Sequence, residues 1–253
     1  MSHHQFLLVD ISNSFSKLAI AEGGKLKKQW RLSTSAWDAE QIFSLVGKED
    51  FDGVIVSSVV PRKNKEFARA IKESVKERIH WVHHLSPLGI QIDYPHPESI
   101  GADRLANAVG CVAHYGYPAI VVDFGTAVTF DVLSSEGAYT GGVIAPGLSA
   151  MTHYLHEQTA LLPKIQLEVP RRVVGKTTRE AMNAGAIFGY RGLVREICGE
   201  INREISPASK VPWIATGGDA ELVSRETSLF DAVDPDLTLR GMLQIGQRLF
   251  SGE

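Results

Sequence analysis

The chain has 253 residues, of which 44% are hydrophobic and 22% charged, a composition that excludes the disordered and fibrous classes of protein. Its formal net charge of -3 provides no overall basic field to attract nucleic acid. No apolar run approaches the ~20 residues of a membrane-spanning helix, and the start lacks the basic and apolar regions of a secretory signal. We therefore expect a cytoplasmic protein of one large or two compact domains. Cys111 and Cys198 lie in apolar helical patterns, which predicts buried reduced thiols.

The first predicted elements are two strands joined by a turn of small polar residues. An apolar run at 6–9 ends in Asp10, residues 11–14 interrupt it, and strand character resumes at 16–21. Such a turn presents backbone N–H groups to an anion, and Lys17 adds a positive charge. Asp10 is suited to hold hydrated Mg²⁺. The alternative is an Asx turn that only closes the hairpin.

Alternating strands and one helix follow in the rest of the first half. Strands are predicted at residues 25–32, 53–58 and 81–85, where apolar runs are bounded by turn residues. A helix capped by Asn64 is predicted to run through Ile79, because its apolar residues recur at the helical period.

The second half repeats the plan of the first. An apolar run at 119–122 ends in Asp123, a small-residue turn follows, and strand character resumes at 128–133. The short strand at 213–218 resembles the one at 53–58. Two matches in the same order indicate an ancient duplication, and the mixture of hairpins and helices predicts two α/β lobes with mixed sheets.

We place the lobes at residues 1–115 and 116–253, and expect a ligand to bind where they face each other. The remaining predicted elements are a strand at 139–144, a helix capped by Thr178 that runs to about Glu204, and a final helix at 237–250.

Four ordered segments resemble a known family. They are residues 10–17 (DISNSFSK), 101–104 (GADR), 123–127 (DFGTA) and 141–147 (GGVIAPG), and together they resemble the type III pantothenate kinases of the acetate-kinase, sugar-kinase, Hsp70 and actin superfamily. The resemblance implies an α/β protein with a duplicated ribonuclease H-like (actin-like ATPase) two-lobe fold. It implies ATP-dependent phosphorylation of pantothenate to 4'-phosphopantothenate, the first step of coenzyme A biosynthesis. It also implies Mg²⁺, a monovalent cation (potassium or ammonium) and a homodimer.

The resemblance also assigns roles to residues. Asp103 corresponds to the general base on the pantothenate hydroxyl, Asp123 to the monovalent-cation ligand, and Asp10 to the residue that holds Mg²⁺ through water. Tyr94 and Thr178 correspond to substrate contacts, Thr178 from the neighbouring subunit. The implied ATP contacts are Asp10, Ile11, Ser12, Asn13, Ser14, Phe15, Ser16, Lys17 and Thr126, and the other implied substrate contacts are Gly101, Ala102, Asp103 and Arg104.

The first phosphate segment departs from the family pattern, Asp-x-Gly-Asn-Thr-x-x-Lys, at two positions. Ser14 keeps the hydroxyl of the family threonine, whereas Ser12 replaces a glycine and is expected to crowd the phosphate or to need a conformation that glycine adopts more easily. One alternative is therefore a catalytically altered homologue that acts as a regulatory or partner-binding protein, and another is a different small-molecule kinase. Without the other three segments, the favoured interpretation of Asp103 is an acid that only caps a helix.

Three other motifs give weaker indications of function than these four segments. Residues 217–219 are expected to form a close approach to adenosine or a plain turn between strand and helix. Residues 175–177 resemble the end of a P-loop, but Pro170 occupies the position of its first glycine, which excludes that motif. His153 and His156 lack the further ligands of a zinc site.

Overall fold

The computed structural model describes residues 4–47, 49–71 and 78–251. The chain divides into two compact units, one of residues 1–116 with 237–253 and one of residues 117–236. The C-terminal helix therefore belongs to the first unit, whereas the division proposed from the sequence placed it in the second. No helix within the described ranges combines the length and the hydropathy needed to cross a membrane.

The described residues form ten strands and seven α-helices. The strands are β1 (Gln5–Ile11), β2 (Phe15–Glu22), β3 (Lys25–Ser33), β4 (Gly53–Ser58), β5 (Ile79–Trp81), β6 (Ala119–Phe124), β7 (Ala127–Leu133), β8 (Tyr139–Pro146), β9 (Trp213–Gly217) and β10 (Ala232–Val233). The helices are α1 (Ala39–Val46), α2 (Pro61–Ala70), α3 (Ala102–His114), α4 (Leu148–Gln158), α5 (Thr178–Ile205), α6 (Ala220–Ser224) and α7 (Leu237–Ser251), and a 3₁₀ turn spans Pro97–Ser99.

The two units have the same sheet topology. The strand order is β3-β2-β1-β4-β5 in the first unit and, read from the matching edge, β8-β7-β6-β9-β10 in the second. In each sheet the central strand pairs antiparallel with the strand that follows it and parallel with the strand that follows the crossover. The predicted duplication is confirmed, and Asp10 and Asp123 occupy equivalent positions, each one residue before the end of its central strand.

The central strands are apolar because both of their faces are buried. Leu7, Leu8 and Val9 in β1 are at most 1% exposed, as are Val121 and Val122 in β6. Continuous apolar runs of this kind are typical of strands that have neighbours on both edges and on both faces. Each run ends in a polar turn, so the chemistry-bearing residues lie at one end of each sheet.

Helix α7 packs closely on the first unit. A Cβ atom added to Gly241 would overlap the Ala106 carbonyl oxygen of α3, and one added to Gly110 would lie 2.5 Å from the Leu237 carbonyl oxygen. The ring of Phe250 lies 5.3 Å from that of Phe6 in β1. Small residues on α3 and α7 thus allow the two helix backbones to approach each other, which explains why the C-terminal helix joins the first unit.

Two predicted elements of the first unit are shorter or begin elsewhere. Helix α2 begins at Pro61, which suits the first turn because proline lacks an N–H group there. Asn64 does not cap it, since its Oδ1 accepts a hydrogen bond from Ser58 Oγ at 2.6 Å. The helix ends at Ala70, and part of the remaining predicted stretch, residues 72–77, lies outside the described residues.

Strand β5 ends at Trp81, so the prediction of a strand at 81–85 is wrong. The backbone turns there instead: the N–H of His83 donates to Ser86 Oγ at 3.0 Å, and the N–H of Leu85 donates to His83 Nδ1 at 3.1 Å. These local hydrogen bonds compete with a sheet ladder.

The N-cap of α5 is Thr177, whose Oγ1 accepts the N–H of Glu180 at 3.2 Å. Thr178, the predicted cap, is instead the first residue of the helix. Cys111 and Cys198 are buried and unbonded to each other, as expected.

Candidate active site

The Asp10 carboxylate lies at the end of β1, and two hydroxyl groups fix its position. It is 7% exposed. Ser57 Oγ donates to Oδ1 at 3.2 Å and Ser12 Oγ donates to Oδ2 at 3.2 Å. Lys17 is its register partner on β2. An acid held by hydroxyl donors beside a lysine keeps its charge in a fixed place, which suits a water-mediated magnesium ligand.

Ser12 does not need a glycine conformation. Among the described non-glycine residues, the one with a positive φ angle is Glu226, so Ser12 lies in an ordinary region of backbone space. Its hydroxyl is directed at Asp10. Of the two consequences expected of this substitution, the conformational one therefore does not arise.

The predicted phosphate segment divides into exposed and buried residues. Asn13, Ser14 and Phe15 are exposed, and the Arg31 guanidinium carbon lies 3.8 Å from the centre of the Phe15 ring. Ile11 and Ser16 are fully buried. Any contact of these two residues with a nucleotide would use their backbone groups, because their side chains face the core.

Asp103 is half-buried in the first turn of α3. Its Oδ1 accepts the N–H of Arg104 at 2.8 Å. A Cβ atom at Gly101 would lie 2.5 Å from that oxygen, so the glycine leaves the space that the carboxylate occupies. The positive end of the helix dipole favours the ionised form of an acid at this place, which is the form that accepts a proton.

Val59 connects the Asp103 turn to the end of β1. The N–H of Val59 donates to the Ile11 carbonyl, next to Asp10, at 3.1 Å. A Cβ atom at Gly101 would lie 3.6 Å from Val59 Cγ1. The structure thus brings Asp10 and Asp103 to neighbouring segments of the first unit. Tyr94, 38% exposed, also lies in this unit, before the 3₁₀ turn.

Asp123 is the penultimate residue of β6 in the second unit and is packed against a glycine turn. Gly217 has a φ of 93°, and a Cβ atom there would overlap the Asp123 carboxylate. The N–H of Asp219 donates to the Phe124 carbonyl at 3.2 Å, and the N–H of Gly147 donates to the Thr126 carbonyl at 3.1 Å. Three turns therefore meet around the end of β6, and Thr126 is exposed there.

Sequence reasoning missed two hydroxyl residues beside the strand-end acids. Ser57 and Thr216 are the register partners of Asp10 and Asp123 on the parallel neighbour strands, and both are fully buried. Within the part of the chain that the structure describes, Thr216 Oγ1 has no hydrogen-bond partner. The internal repeat contained this signal, because the strands at 53–58 and 213–217 end in equivalent places.

Tyr190 on α5 was also missed. Its hydroxyl donates to the Pro146 carbonyl at 3.4 Å, and its ring centre lies 6.0 Å from that of Phe124. Burial, and then the negative charge of Asp219, raise the pKa of Tyr190. The phenol therefore stays protonated and remains a hydrogen-bond donor behind the β6 turn.

Thr178 is exposed at the start of α5, where α4 and α5 form an apolar groove. The cavity has a volume of about 300 Å³ and is lined by Met151, Leu155 and Met182 among other residues. Tyr154, on α4, is 67% exposed. Thr178 thus lies in the second unit, whereas Tyr94, the other residue for which the resemblance predicted substrate binding, lies in the first.

Comparison with known proteins identifies the family of this chain. The sequence profile described as type III pantothenate kinase matches residues 6–200. The chain belongs to the type III pantothenate kinase family. It is 46% identical over 238 residues to a type III pantothenate kinase of Akkermansia muciniphila, covering 94% of this chain and 96% of that protein. It is 43% identical over 243 residues to one of Methylacidiphilum infernorum, covering 96% and 88%.

Solved structures support the fold of this family member. It resembles a Campylobacter jejuni protein described as a Baf family transcriptional activator, with a TM-score of 0.62 and 20% identity over 96% of this chain and 98% of that one. It also resembles the (R)-2-hydroxyglutaryl-CoA dehydratase component A of Acidaminococcus fermentans, with a TM-score of 0.52 and 12% identity over 95% of each chain. Together with the duplicated sheet topology, these likenesses confirm the predicted α/β, ribonuclease H-like fold class.

Proposed function

We propose that this protein phosphorylates pantothenate with ATP to give 4'-phosphopantothenate, the first step of coenzyme A biosynthesis. Membership of the type III pantothenate kinase family supports the reaction. The observation that carries the proposal is the Asp103 carboxylate, which lies at a helix N-terminus beside the space kept by Gly101. Gly101 in turn lies near Val59, whose N–H donates to the Ile11 carbonyl at the end of β1. Catalysis of phosphoryl transfer consists mainly of positioning and charge stabilisation, and one such acid suffices to orient the alcohol.

Asp103 acts as the general base. Its carboxylate accepts the proton of the pantothenate hydroxyl as that oxygen bonds to the γ-phosphorus of ATP, and the bond to ADP breaks with its electron pair on the leaving oxygen. Arg104 follows Asp103 directly, and its planar guanidinium suits the carboxylate or amide oxygens of pantothenate. Tyr94, Gly101 and Ala102 complete the substrate side in the first unit.

The exposed turn after β1 binds the triphosphate. Backbone N–H groups at Asn13 and Ser14 and the ammonium group of Lys17 supply donors and positive charge. Asp10 fits a magnesium ligand because its carboxylate is nearly buried and is held by two hydroxyls, and Mg²⁺ prefers one or two carboxylates with waters and phosphates. The metal supplies charge neutralisation of the phosphates when it is bound.

Asp123 holds the monovalent cation, potassium or ammonium. The oxygen donors fit, because the buried hydroxyl of Thr216 lies on the register partner of Asp123 and has no hydrogen-bond partner in the described residues. The cation supplies positive charge at this site when it is bound. Thr126, exposed on the adjoining turn, contacts ATP.

The protein acts as a cytoplasmic homodimer. The apolar groove beside Thr178, together with Tyr154 and the 90% exposed Leu161, is the kind of surface that a second copy covers. In the dimer, Thr178 contacts pantothenate bound to the neighbouring subunit. The molar mass in solution, measured by light scattering, tests the dimer.

The test of the function is direct chromatography of ADP and 4'-phosphopantothenate after incubation of the purified protein with Mg²⁺-ATP. Reactions with and without pantothenate are run in potassium, ammonium and sodium buffers, and no potassium-dependent coupling enzyme is used. We expect stoichiometric products only with pantothenate, at higher rates in potassium or ammonium than in sodium. Equal rates in the three buffers would contradict the proposed cation role of Asp123. Absence of 4'-phosphopantothenate would contradict the proposed reaction.

Ser12 motivates the second candidate, a catalytically altered homologue with a regulatory or partner-binding role. That protein would bind Mg²⁺-ATP weakly or not at all in isothermal titration and would release no product. A third candidate, another small-molecule kinase, would turn over a different alcohol in a substrate panel. The unstrained backbone of Ser12 favours retained kinase activity.

A further inference from the structure

A buried chain of hydrogen bonds, here called the hydroxyl relay, leads from Trp37 to the turn after β1. Trp37 Nε1 donates to Ser16 Oγ at 2.9 Å, the hydroxyls of Ser16 and Thr34 lie 2.9 Å apart, and Thr34 Oγ1 donates to the Ser12 carbonyl at 2.7 Å. Ser16 and Thr34 are fully buried and Trp37 is 2% exposed.

The chemistry of the groups fixes the direction of this relay. The indole N–H of Trp37 can only donate, and the Ser12 carbonyl can only accept. Thr34 uses its one hydroxyl proton on that carbonyl, so the proton between Ser16 and Thr34 belongs to Ser16. Every donor therefore points toward the turn, and such aligned chains strengthen each of their bonds.

Both ends of the relay are anchored. The ammonium group of Lys63 donates to the Trp37 carbonyl at 2.6 Å and lies 4.2 Å from the centre of the Trp37 ring. The backbone N–H of Thr34 donates to the Ser14 carbonyl at 3.0 Å. Thr34 thus binds two carbonyl groups of the turn, one with its side chain and one with its backbone.

The held carbonyls determine which groups the turn presents. In a planar trans peptide the C=O and the following N–H point in opposite directions. When Thr34 binds the Ser12 carbonyl, the N–H of Asn13 is directed away from Thr34, and the carbonyl oxygen, which would repel a phosphate, stays on the buried side. In the family pattern this turn begins with glycine; here Ser12 takes that place.

We propose that Thr34 is a positioning residue for the ATP phosphates, and that the hydroxyl relay from Trp37 through Ser16 holds Thr34 in the donating state. This inference rests on the proposed function, in which the turn after β1 binds the triphosphate. Thr34 does not touch ATP; it acts through the backbone of the turn. Its loss should therefore weaken ATP binding and leave pantothenate binding nearly unchanged.

The test compares three variants with the wild type. Thr34→Val removes the hydroxyl and keeps the shape, and Thr34→Ser keeps the hydroxyl. Thr238→Val is the matched control, since Thr238 is a buried threonine of the same unit whose Oγ1 donates to Asn107 Oδ1 at 2.7 Å. For each protein we would measure the Kd of Mg²⁺-ATP by titration calorimetry, the KM of ATP and of pantothenate, and the thermal unfolding midpoint.

We expect Thr34→Val to raise the Kd and KM of ATP about 5- to 20-fold, the range for one lost hydrogen bond that leaves a carbonyl unpaired. Its KM for pantothenate should change less than about twofold, and Thr34→Ser should restore ATP affinity. Thr238→Val should lower the unfolding midpoint as much as Thr34→Val does, without changing ATP affinity. If Thr34→Val fails to fold, Ser16→Ala replaces it and should raise the KM of ATP about 2- to 4-fold, because it removes both the donor to Thr34 and the acceptor of the Trp37 indole N–H but leaves the Thr34 hydroxyl in place.

The outcomes separate this inference from the function on which it rests. A wild type that binds ATP, with a Thr34→Val variant of equal ATP affinity and lowered stability, would overturn the positioning role alone. Equal losses of ATP and pantothenate affinity would also overturn it, because they indicate general damage. A wild type with no affinity for Mg²⁺-ATP would overturn the proposed function and this inference together.

Discussion

The Asp103 carboxylate occupies a position where an acid also serves an ordinary structural purpose. Acids in the first turn of a helix stabilise it through the helix dipole and the free N–H groups. The same chain contains a residue that does only this: Asp38 precedes α1, is exposed, and accepts the N–H of Gln41 at 2.8 Å. Asp103 differs because it is half-buried, and because the preceding Gly101 lies near Val59, whose N–H donates to the Ile11 carbonyl beside Asp10.

We predict that Asp103→Asn lowers kcat for pantothenate phosphorylation roughly 10²–10⁴-fold, because an amide cannot accept the hydroxyl proton. The variant should unfold at nearly the wild-type temperature, since asparagine keeps the shape. Asp38→Asn is the matched control, because it also removes one charge at a helix N-terminus and should retain full kcat. Steady-state product formation measures both, and a wild-type kcat in Asp103→Asn would exclude the general-base role.

The strand-end acids were visible in the sequence, but the side-chain directions around them were not. Asp10 and Asp123 each follow an apolar run, and that pattern alone predicts the end of a buried strand. Whether the next residues face solvent depends on strand register and on contacts distant in sequence. Ser16 reads as a phosphate contact in the motif, yet Thr34 and Trp37 hold its hydroxyl in the core.

Strand β5, at the edge of the first sheet, shows how local polar contacts limit an element. Among the described strands it pairs with β4 alone, and the Nε2 atom of its residue His80 lies 2.8 Å from Ser86 Oγ. Burial, and then the neighbouring His83, lower the pKa of His80 from its ordinary value of 6.5. The folded protein therefore binds fewer protons at this site than the unfolded chain does as the pH falls through 6.5.

We predict that acid weakens the fold through His80. The contribution of the neutral imidazole to the free energy of unfolding is complete above pH 6.5 and is lost as the pH falls below that value. His80→Gln keeps a polar side chain that does not titrate, so its urea midpoint should fall less between pH 7.5 and 5.5 than the wild-type midpoint does. Replacing the exposed His114 by Gln should leave the wild-type dependence in place. Equal acid sensitivity of His80→Gln and the wild type would contradict the prediction.

Element ends were predicted less well than element types, for reasons that particular residues make clear. The helix period identified α2, but its start depends on Pro61 and on the use of Asn64 by Ser58. The period also identified α5, but Thr178 was predicted as its cap, whereas the hydrogen bond from the N–H of Glu180 identifies Thr177 as the cap. A cap is a specific hydrogen bond, which periodicity does not reveal.

At the scale of the whole molecule, the duplication could be predicted from the sequence. The composition of the first unit from two separate stretches of chain could not. Repeated strand-acid-turn segments occur in the sequence itself, and both sheets follow the same order. The return of α7 to the first unit depends on close contacts between helices far apart in the chain. Apolar residues of α7 that contribute to this packing are almost fully buried: Leu237, Leu239, Met242, Leu243 and Ile245.

The final prediction concerns this discontinuous unit. Gly241→Ala places a methyl group on the Ala106 carbonyl of α3, and overpacking of this kind costs about 1–3 kcal/mol. Gly199→Ala is the matched control, because Gly199 lies within α5 with nothing within 4 Å of an added Cβ atom, and alanine there should add about 0.5–1 kcal/mol of helix stability.

Amide hydrogen exchange followed by mass spectrometry distinguishes the two variants by region. Gly241→Ala should accelerate exchange in the described parts of residues 4–116 and in α7, and leave residues 117–236 close to wild type, because the contact it disrupts lies within the first unit. It should also lower kcat, since α3 carries Asp103 in its first turn. Uniform acceleration over both units would indicate that they unfold as one, and unchanged exchange would show that α7 does not support the helix that carries Asp103.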